Sequence, residues 1–216
     1  MRVLDDWLLT PARAAVHLPT RTAVVADLHL GYDRLRQLDG EAVPVRSVAE
    51  ELAPLKTLVT QDIRRLVVAG DLFENGRRGA ERLSAELLQA LADMGIELVG
   101  VIPGNHDRLT RQQQHALPLF VDGLRLGDWQ VVHGDQPRTA GRVVQGHEHP
   151  WFRWRSGVGG PCYLIHAEQI VLPAFSVHAA GGNVVGKRRW AAHRCCAIAG
   201  GEVLDFGELG RLTRQA

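Results

Sequence analysis

Three apolar runs, each cut off by a polar motif and separated by segments of helical spacing, constrain this chain most. Thr22 to Ala26 (TAVVA), Leu66 to Ala69 (LVVA) and Glu97 to Ile102 (ELVGVI) read as strands covered on both faces. Between the first two, Arg46 to Thr60 sets Val48, Leu52, Leu55 and Val59 at helical intervals; Pro54 kinks that helix or splits it into two pieces. Between the last two, Ala80 to Met94 places Leu83, Leu87, Leu91 and Met94 on one face and closes at Gly95. A β-α-β-α-β order makes a parallel α/β unit, in which ligands gather beyond the carboxyl ends of the strands.

Beyond Ile102 the helical period fades. Short strand candidates alternate with Gly/Pro turns: Trp129 to Val132, Arg142 to Gln145, Cys162 to Ile165, Gln169 to Leu172, Cys195 to Ala199 and Val203 to Phe206. Gly200-Gly201 marks a hairpin between the last two. This half reads as mainly antiparallel, giving two sheets packed face to face with helices outside. At 216 residues, with no linker or repeat, the chain is expected to be a single domain over 1–216.

Composition removes several functional classes. A formal charge of +1 leaves no large basic field to attract nucleic acid, so local patches would have to do so. Cys162, Cys195 and Cys196 form no disulfide framework, and no CxxC pair supports a zinc knuckle with His193. The acidic start (Asp5, Asp6) is unlike a signal peptide, and no apolar run approaches the roughly 20 residues of a membrane span. The expectation is a soluble cytoplasmic protein without membrane contact.

Five short motifs follow strand-like runs: Asp27-Leu28-His29, Gly70-Asp71, Gly104-Asn105-His106-Asp107, His133-Gly134 and Gly146-His147-Glu148-His149. Each alone is an ordinary polar turn. Together they offer the mixed oxygen and imidazole donors that suit divalent first-row metals. Two-metal phosphoester hydrolysis needs cations roughly 3.5–4 Å apart, a bridging group, and open positions for water and substrate. A carboxylate can bridge, and neutral imidazole and amide ligands keep the site from becoming too negative. With Asp27, Asp71 and a hydroxide against two dications, the centre carries a charge of about +1, which favours an anionic substrate. If the motifs are extended, alternation turns Asp27 with His29, and His147 with His149, toward one site.

This pattern resembles the calcineurin-like metallophosphoesterase superfamily over roughly Ala23 to Ser176. Ala26-Asp27-Leu28-His29-Leu30-Gly31-Tyr32 and Gly70-Asp71-Leu72-Phe73 are similar to the SbcD-type nuclease branch. Gly146-His147-Glu148-His149-Pro150, Pro161-Cys162-Tyr163-Leu164 and Leu172-Pro173-Ala174-Phe175-Ser176 look closer to the small SbcD-related phosphoesterases, near the ligase-associated ones. The resemblance implies a four-layer α/β/β/α sandwich of two mixed sheets flanked by helices. It implies that Asp27, His29 and His149 hold one metal, that Asn105, His133 and His147 hold the other, and that Asp71 bridges them. A bridging hydroxide would attack phosphorus, His106 would assist the leaving oxygen, and Asp107 would orient His106. The metals implied are two divalent ions, manganese first, with zinc or iron chemically reasonable. The implied substrate is a phosphoester, DNA or RNA included; a small-molecule phosphomonoester, or a non-catalytic scaffold role, are the competing readings. Glu74 stands where many members have an acidic residue three after the bridging aspartate, and is assigned at most a supporting role. The Ser/Thr phosphatase signature, with Arg-Gly after that position and GNHE for GNHD, is absent.

His17, His115, His166, His178 and His193 match no motif and are expected to be outside the metal site, with His178 the least secure. Trp151 to Arg155 alternates Arg153 and Arg155 against Phe152 and Trp154, as a strand with one buried face or as a substrate rim. Lys187-Arg188-Arg189-Trp190 reads as a solvated basic loop or as a contact for a nucleic-acid backbone.

Overall fold

The computed structural model describes residues 1–74, 80–137, 140–154, 157 and 159–212. The first sheet runs in sequence order: β1 (Arg2–Val3), β2 (Trp7–Leu9), β3 (Ala15–His17), β4 (Thr22–Val25), β5 (Arg65–Ala69) and β6 (Glu97–Ile102). The last three are the apolar runs read from sequence, and they pair in parallel. β1 to β4 form an antiparallel meander that sequence periodicity does not show, because strands of two or three residues carry no period.

Helices α1 (Tyr32–Leu38), α2 (Val48–Glu51), α3 (Lys56–Val59), α4 (Ala80–Asp93) and α5 (Arg111–Ala116) follow in chain order, with α6 (Leu209–Leu212) near the end. Pro54 splits the segment expected around it: a 3₁₀ turn at Ala53–Leu55 separates α2 from α3. α2 begins with a capping box in which Ser47 and Glu50 satisfy each other's backbone N–H groups.

The second sheet contains β7 (Leu124–Leu126), β8 (Trp129–Val132), β9 (Arg142–Gln145), β10 (Pro150–Arg153), β11 (Gly159–His166), β12 (Gln169–Val171), β13 (Gly182–Asn183), β14 (Arg194–Ala199) and β15 (Glu202–Glu208). It is mainly antiparallel, as expected, but mixed: β8–β9, β9–β12 and β10–β13 are parallel pairs. Parallel neighbours need a crossover; β9 reaches β12 through β10 and β11, and β10 reaches β13 through β11 and β12, so no helical period marks these pairs. β14 and β15 form the expected hairpin, with Gly200 and Gly201 at φ 59° and 80° as a two-residue turn requires.

Alternation along the strands sorts the core into three layers. Ala23, Val25, Leu66 and Val68 face the helices with Leu52, Leu83 and Leu87. Val24, Val67 and Ala69 face the second sheet, meeting Val131, Val144, Tyr163 and Ile170. Cys162, Leu164 and Cys195 face outward beneath Trp190 and Leu209. The stacking is α/β/β/α. Trp7 and Trp129 meet edge to face across the sheets at 5.7 Å, and the three cysteines are buried free thiols.

Candidate active site

The motifs sit where the parallel strands of the first sheet stop and the chain turns. Beyond β4 and β5 the two segments keep running side by side: Asp27 N–H donates to Gly70 O, His29 N–H to Asp71 O and Leu30 N–H to Leu72 O. Leu28, Leu30, Leu72 and Phe73 are fully buried in the helix-side core, which anchors the loop, while Asp27, His29 and Asp71 turn the other way. The backbone is not extended there. Asp27, His29, Asp71, His147 and His149 all lie in the left-handed region, at φ 56°, 48°, 47°, 66° and 40°. Turns, not strand alternation, therefore bring each Asp-x-His or His-x-His pair together. Gly70 is held for a different reason: a Cβ there would lie 1.9 Å from the His133 Nδ1.

Three groups of donor atoms converge here; His29, Glu74 and His106 form one, and the other two meet at Asp71. Asp27, His29 and His149 place one ligand atom each within 4.8 Å of one another, as do Asp71, His133 and His147. Asp71 stands between them. Its Oδ1 accepts from the His106 backbone N–H at 2.9 Å. Its Oδ2 faces His29 Nε2 at 4.0 Å and His133 Nε2 at 3.5 Å. The Asp27 carboxylate accepts from the His147 N–H and faces His149 Nε2 at 3.5 Å. Asn105 Oδ1 lies 3.0 Å from His133 Nε2, and His147 Nδ1 lies 3.2 Å from the same atom.

Two observations fit cations at this place. His29 Nε2 and His149 Nε2 are buried without a hydrogen-bond partner among the described residues, which is costly unless something else binds the lone pair. The Nε2 of His133 is also crowded by an imidazole nitrogen, an amide oxygen and a carboxylate, a convergence suited to a Lewis acid.

His106 lies beside these groups with its side chain 40% exposed. Its Nδ1 is 3.2 Å from Glu74 Oε1, while the other Glu74 oxygen lies 2.6 Å from His29 Nδ1. The His29 hydrogen bond, together with the charges around it, draws Glu74 below the usual carboxylate range despite its burial. Asp107 does not orient His106. Its carboxylate accepts instead from the backbone N–H groups of Leu72, Phe73 and Gly104, tying the second motif to the third. Burial outweighs those bonds and raises its pKa. The carboxylate in contact with the His106 ring is Glu74, in the supporting position that its place three residues after Asp71 suggested.

The other histidines lie outside these groups. His115 and His166 are exposed. His17 is buried against Thr20, and His193 Nε2 against Gln169. His178 stacks on Tyr32 with its Nε2 3.0 Å from Asp33. Phe152 is buried under Trp154 and Arg153 is exposed, the one-sided strand arrangement; Arg155 lies outside the described residues. The basic loop is less free than expected: Arg189 makes a bidentate pair with Glu148, inside the fifth motif, and stacks on Trp190.

Comparison with known proteins agrees with this geometry. The Calcineurin-like phosphoesterase family model matches residues 20–172. The chain is 33% identical over 125 residues to the SbcD component of the SbcCD nuclease of Bacillus subtilis (strain 168), covering 55% of this chain and 30% of that protein. It is 36% identical over 103 residues to the DNA double-strand break repair protein Mre11 of Methanopyrus kandleri, covering 47% of this chain and 22% of that protein. The chain thus spans less than a third of either relative. The fold is that of the Pseudomonas putida nuclease MPE crystal structure, with a TM-score of 0.73 at 24% identity over 93% of this chain and 94% of that one. Among the described residues, no helix is long and apolar enough to cross a membrane. Family membership implies divalent metal ions, and the two donor groups that meet at Asp71 are where this chain offers ligands for them. The matched span holds all five motifs, and the chain belongs to the calcineurin-like phosphoesterase family.

Proposed function

We propose that this protein is a divalent-metal-dependent phosphodiesterase acting on nucleic acid or nucleotides. The observation that carries the reading is the position of Asp71 Oδ2 between two donor groups whose His29 and His149 Nε2 atoms have no partner among the described residues. In this reading Asp27, His29 and His149 hold one cation, Asn105, His133 and His147 hold a second, and Asp71 touches both. Manganese is the proposed metal, with zinc or iron compatible with the same donors. When bound, such ions polarise phosphoryl oxygens and lower the pKa of water. The chain's own part is to hold and orient. Glu74 fixes the His106 ring through Nδ1, so that Nε2 is the atom offered to a phosphate oxygen and then to the leaving oxygen. The relatives' names, a nuclease component and a DNA repair protein, support a nucleic-acid substrate.

A phosphomonoesterase fits less well. A dianionic phosphate favours extra cations beside the metals; of the arginines near the motifs, Arg34 is engaged with Glu86 and Arg36 with Glu41, and Arg108 is exposed beside the third motif.

The test is hydrolysis of an aryl phosphodiester with added manganese, before and after chelation. His106→Ala should lower kcat by about 10²- to 10⁴-fold while bound metal, measured by elemental analysis, is retained. Metal-loaded protein with no diesterase turnover would contradict the reading.

A further inference from the structure

A cavity of about 370 Å³ adjoins the metal-type motifs, with His133 and Gly134 in its wall. Its walls are mainly apolar, from Ile102, Val121, Val132, Pro137 and Val143. Its acidic lining groups are Asp122 and Asp135; no lysine or arginine lines it among the described residues. Such a surface repels phosphate and accepts a neutral, flat, largely apolar group.

One polar side chain is aimed into it by a buried relay. His193 Nε2 donates to Gln169 Oε1 at 3.1 Å, and Gln169 Nε2 donates to Gln145 Oε1 at 3.0 Å. With exposures of 7%, 9% and 7%, these three are as buried as core residues. The relay fixes the Gln145 amide, because its oxygen is already an acceptor. Its Nε2, without an acceptor among the described residues, is left as a donor on the cavity wall. It lies beside Gly134, where a Cβ would come within 2.6 Å of it. A donor at the cavity wall whose amide is fixed by two further buried side chains is set to meet a ligand acceptor.

We propose that this cavity is a nucleobase subsite. It takes the base of the nucleotide next to the scissile phosphate, with the ring between the apolar walls and a ring carbonyl or ring nitrogen accepting from Gln145 Nε2. The inference rests on the phosphodiesterase reading above and deepens it: the phosphate stays at the metal-type donors, and the cavity, whose charged lining among the described residues is acidic, receives the uncharged part of the substrate.

The test uses the whole chain with manganese and two substrates, a dinucleoside monophosphate and the same diester with both bases replaced by hydrogen. For the wild type, KM should be at least about tenfold lower for the base-bearing substrate. Val132→Phe, which fills the cavity, should bring the ratio of the two KM values close to one. Gln145→Met, which keeps the shape and removes the donor, should shrink that ratio by roughly three- to tenfold. Equal KM values for the two substrates in the wild type, or unchanged ratios in both variants, would overturn the subsite and leave the phosphodiesterase reading standing. Failure to hydrolyse either substrate would remove both.

Discussion

Glu74 and Asp107, the two carboxylates weighed as supports in the sequence, have different work. Glu74 touches imidazoles, through His29 Nδ1 and His106 Nδ1, so its removal loosens two rings at once. Glu74→Ala should therefore reduce activity by about 10- to 100-fold, with metal affinity falling as well, because it frees the ring that would be a ligand. Steady-state kinetics over a manganese titration would separate the two losses. Asp107 accepts from backbone, and three N–H groups depend on it. Asp107→Asn should be read first in urea unfolding, at about 1.5–3 kcal/mol, since an amide oxygen accepts more weakly than a carboxylate. The difference explains what was legible at this scale. Asp27, His29, Asp71, Asn105, His133, His147 and His149 are expected from their motifs, and the fold brings their donor atoms together. The contact between Glu74 and His106 is not expected from a motif, because it spans 32 residues of chain.

At the scale of elements, the parallel strands β4 to β6 and helix α4 were readable because each buries a periodic set of side chains. The N-terminal meander and the parallel pairs of the second sheet were not, because short strands leave no period and no helical period marks those pairs. Helix α2 carries a feature of another kind. Burial pushes the Glu51 carboxyl up to about 7, against the pull of Arg46 and with Asp33 adding to the rise. Its ordinary value is 4.5, so between about 4.5 and about 7 the folded protein binds a proton that the unfolded chain releases. Stability from this group accordingly falls as pH rises through that window and levels above it. The carboxyl keeps some contact with solvent, so the effect is discounted to about 1 kcal/mol. Glu51→Gln should flatten the slope of Tm against pH over that window and raise Tm by a few degrees at pH 8. An unchanged slope would show that the carboxyl ionises in the folded state as it does in the unfolded one.

For the whole molecule, the two sheets are joined by more than apolar contact. Tyr163, on β11 of the second sheet and fully buried, donates its hydroxyl to Thr10 O at 2.7 Å, with Ala14 O at 3.1 Å, in the loop between β2 and β3 of the first. Burial raises its pKa strongly, so the group is a neutral donor at any working pH. Tyr163→Phe takes that donor from the Thr10 carbonyl and should cost about 1–3 kcal/mol in chemical denaturation.

The left-handed backbone at Asp27, His29, Asp71, His147 and His149 has an outcome for anyone engineering this fold. Each such side chain resists its own conformation by about 1 kcal/mol, more for imidazole than for carboxylate. Glycine would relax every one of them. A screen that rewards heat resistance alone would therefore favour glycine at five of the positions that carry donor atoms, and survivors that took it would have lost most of what could grip an ion.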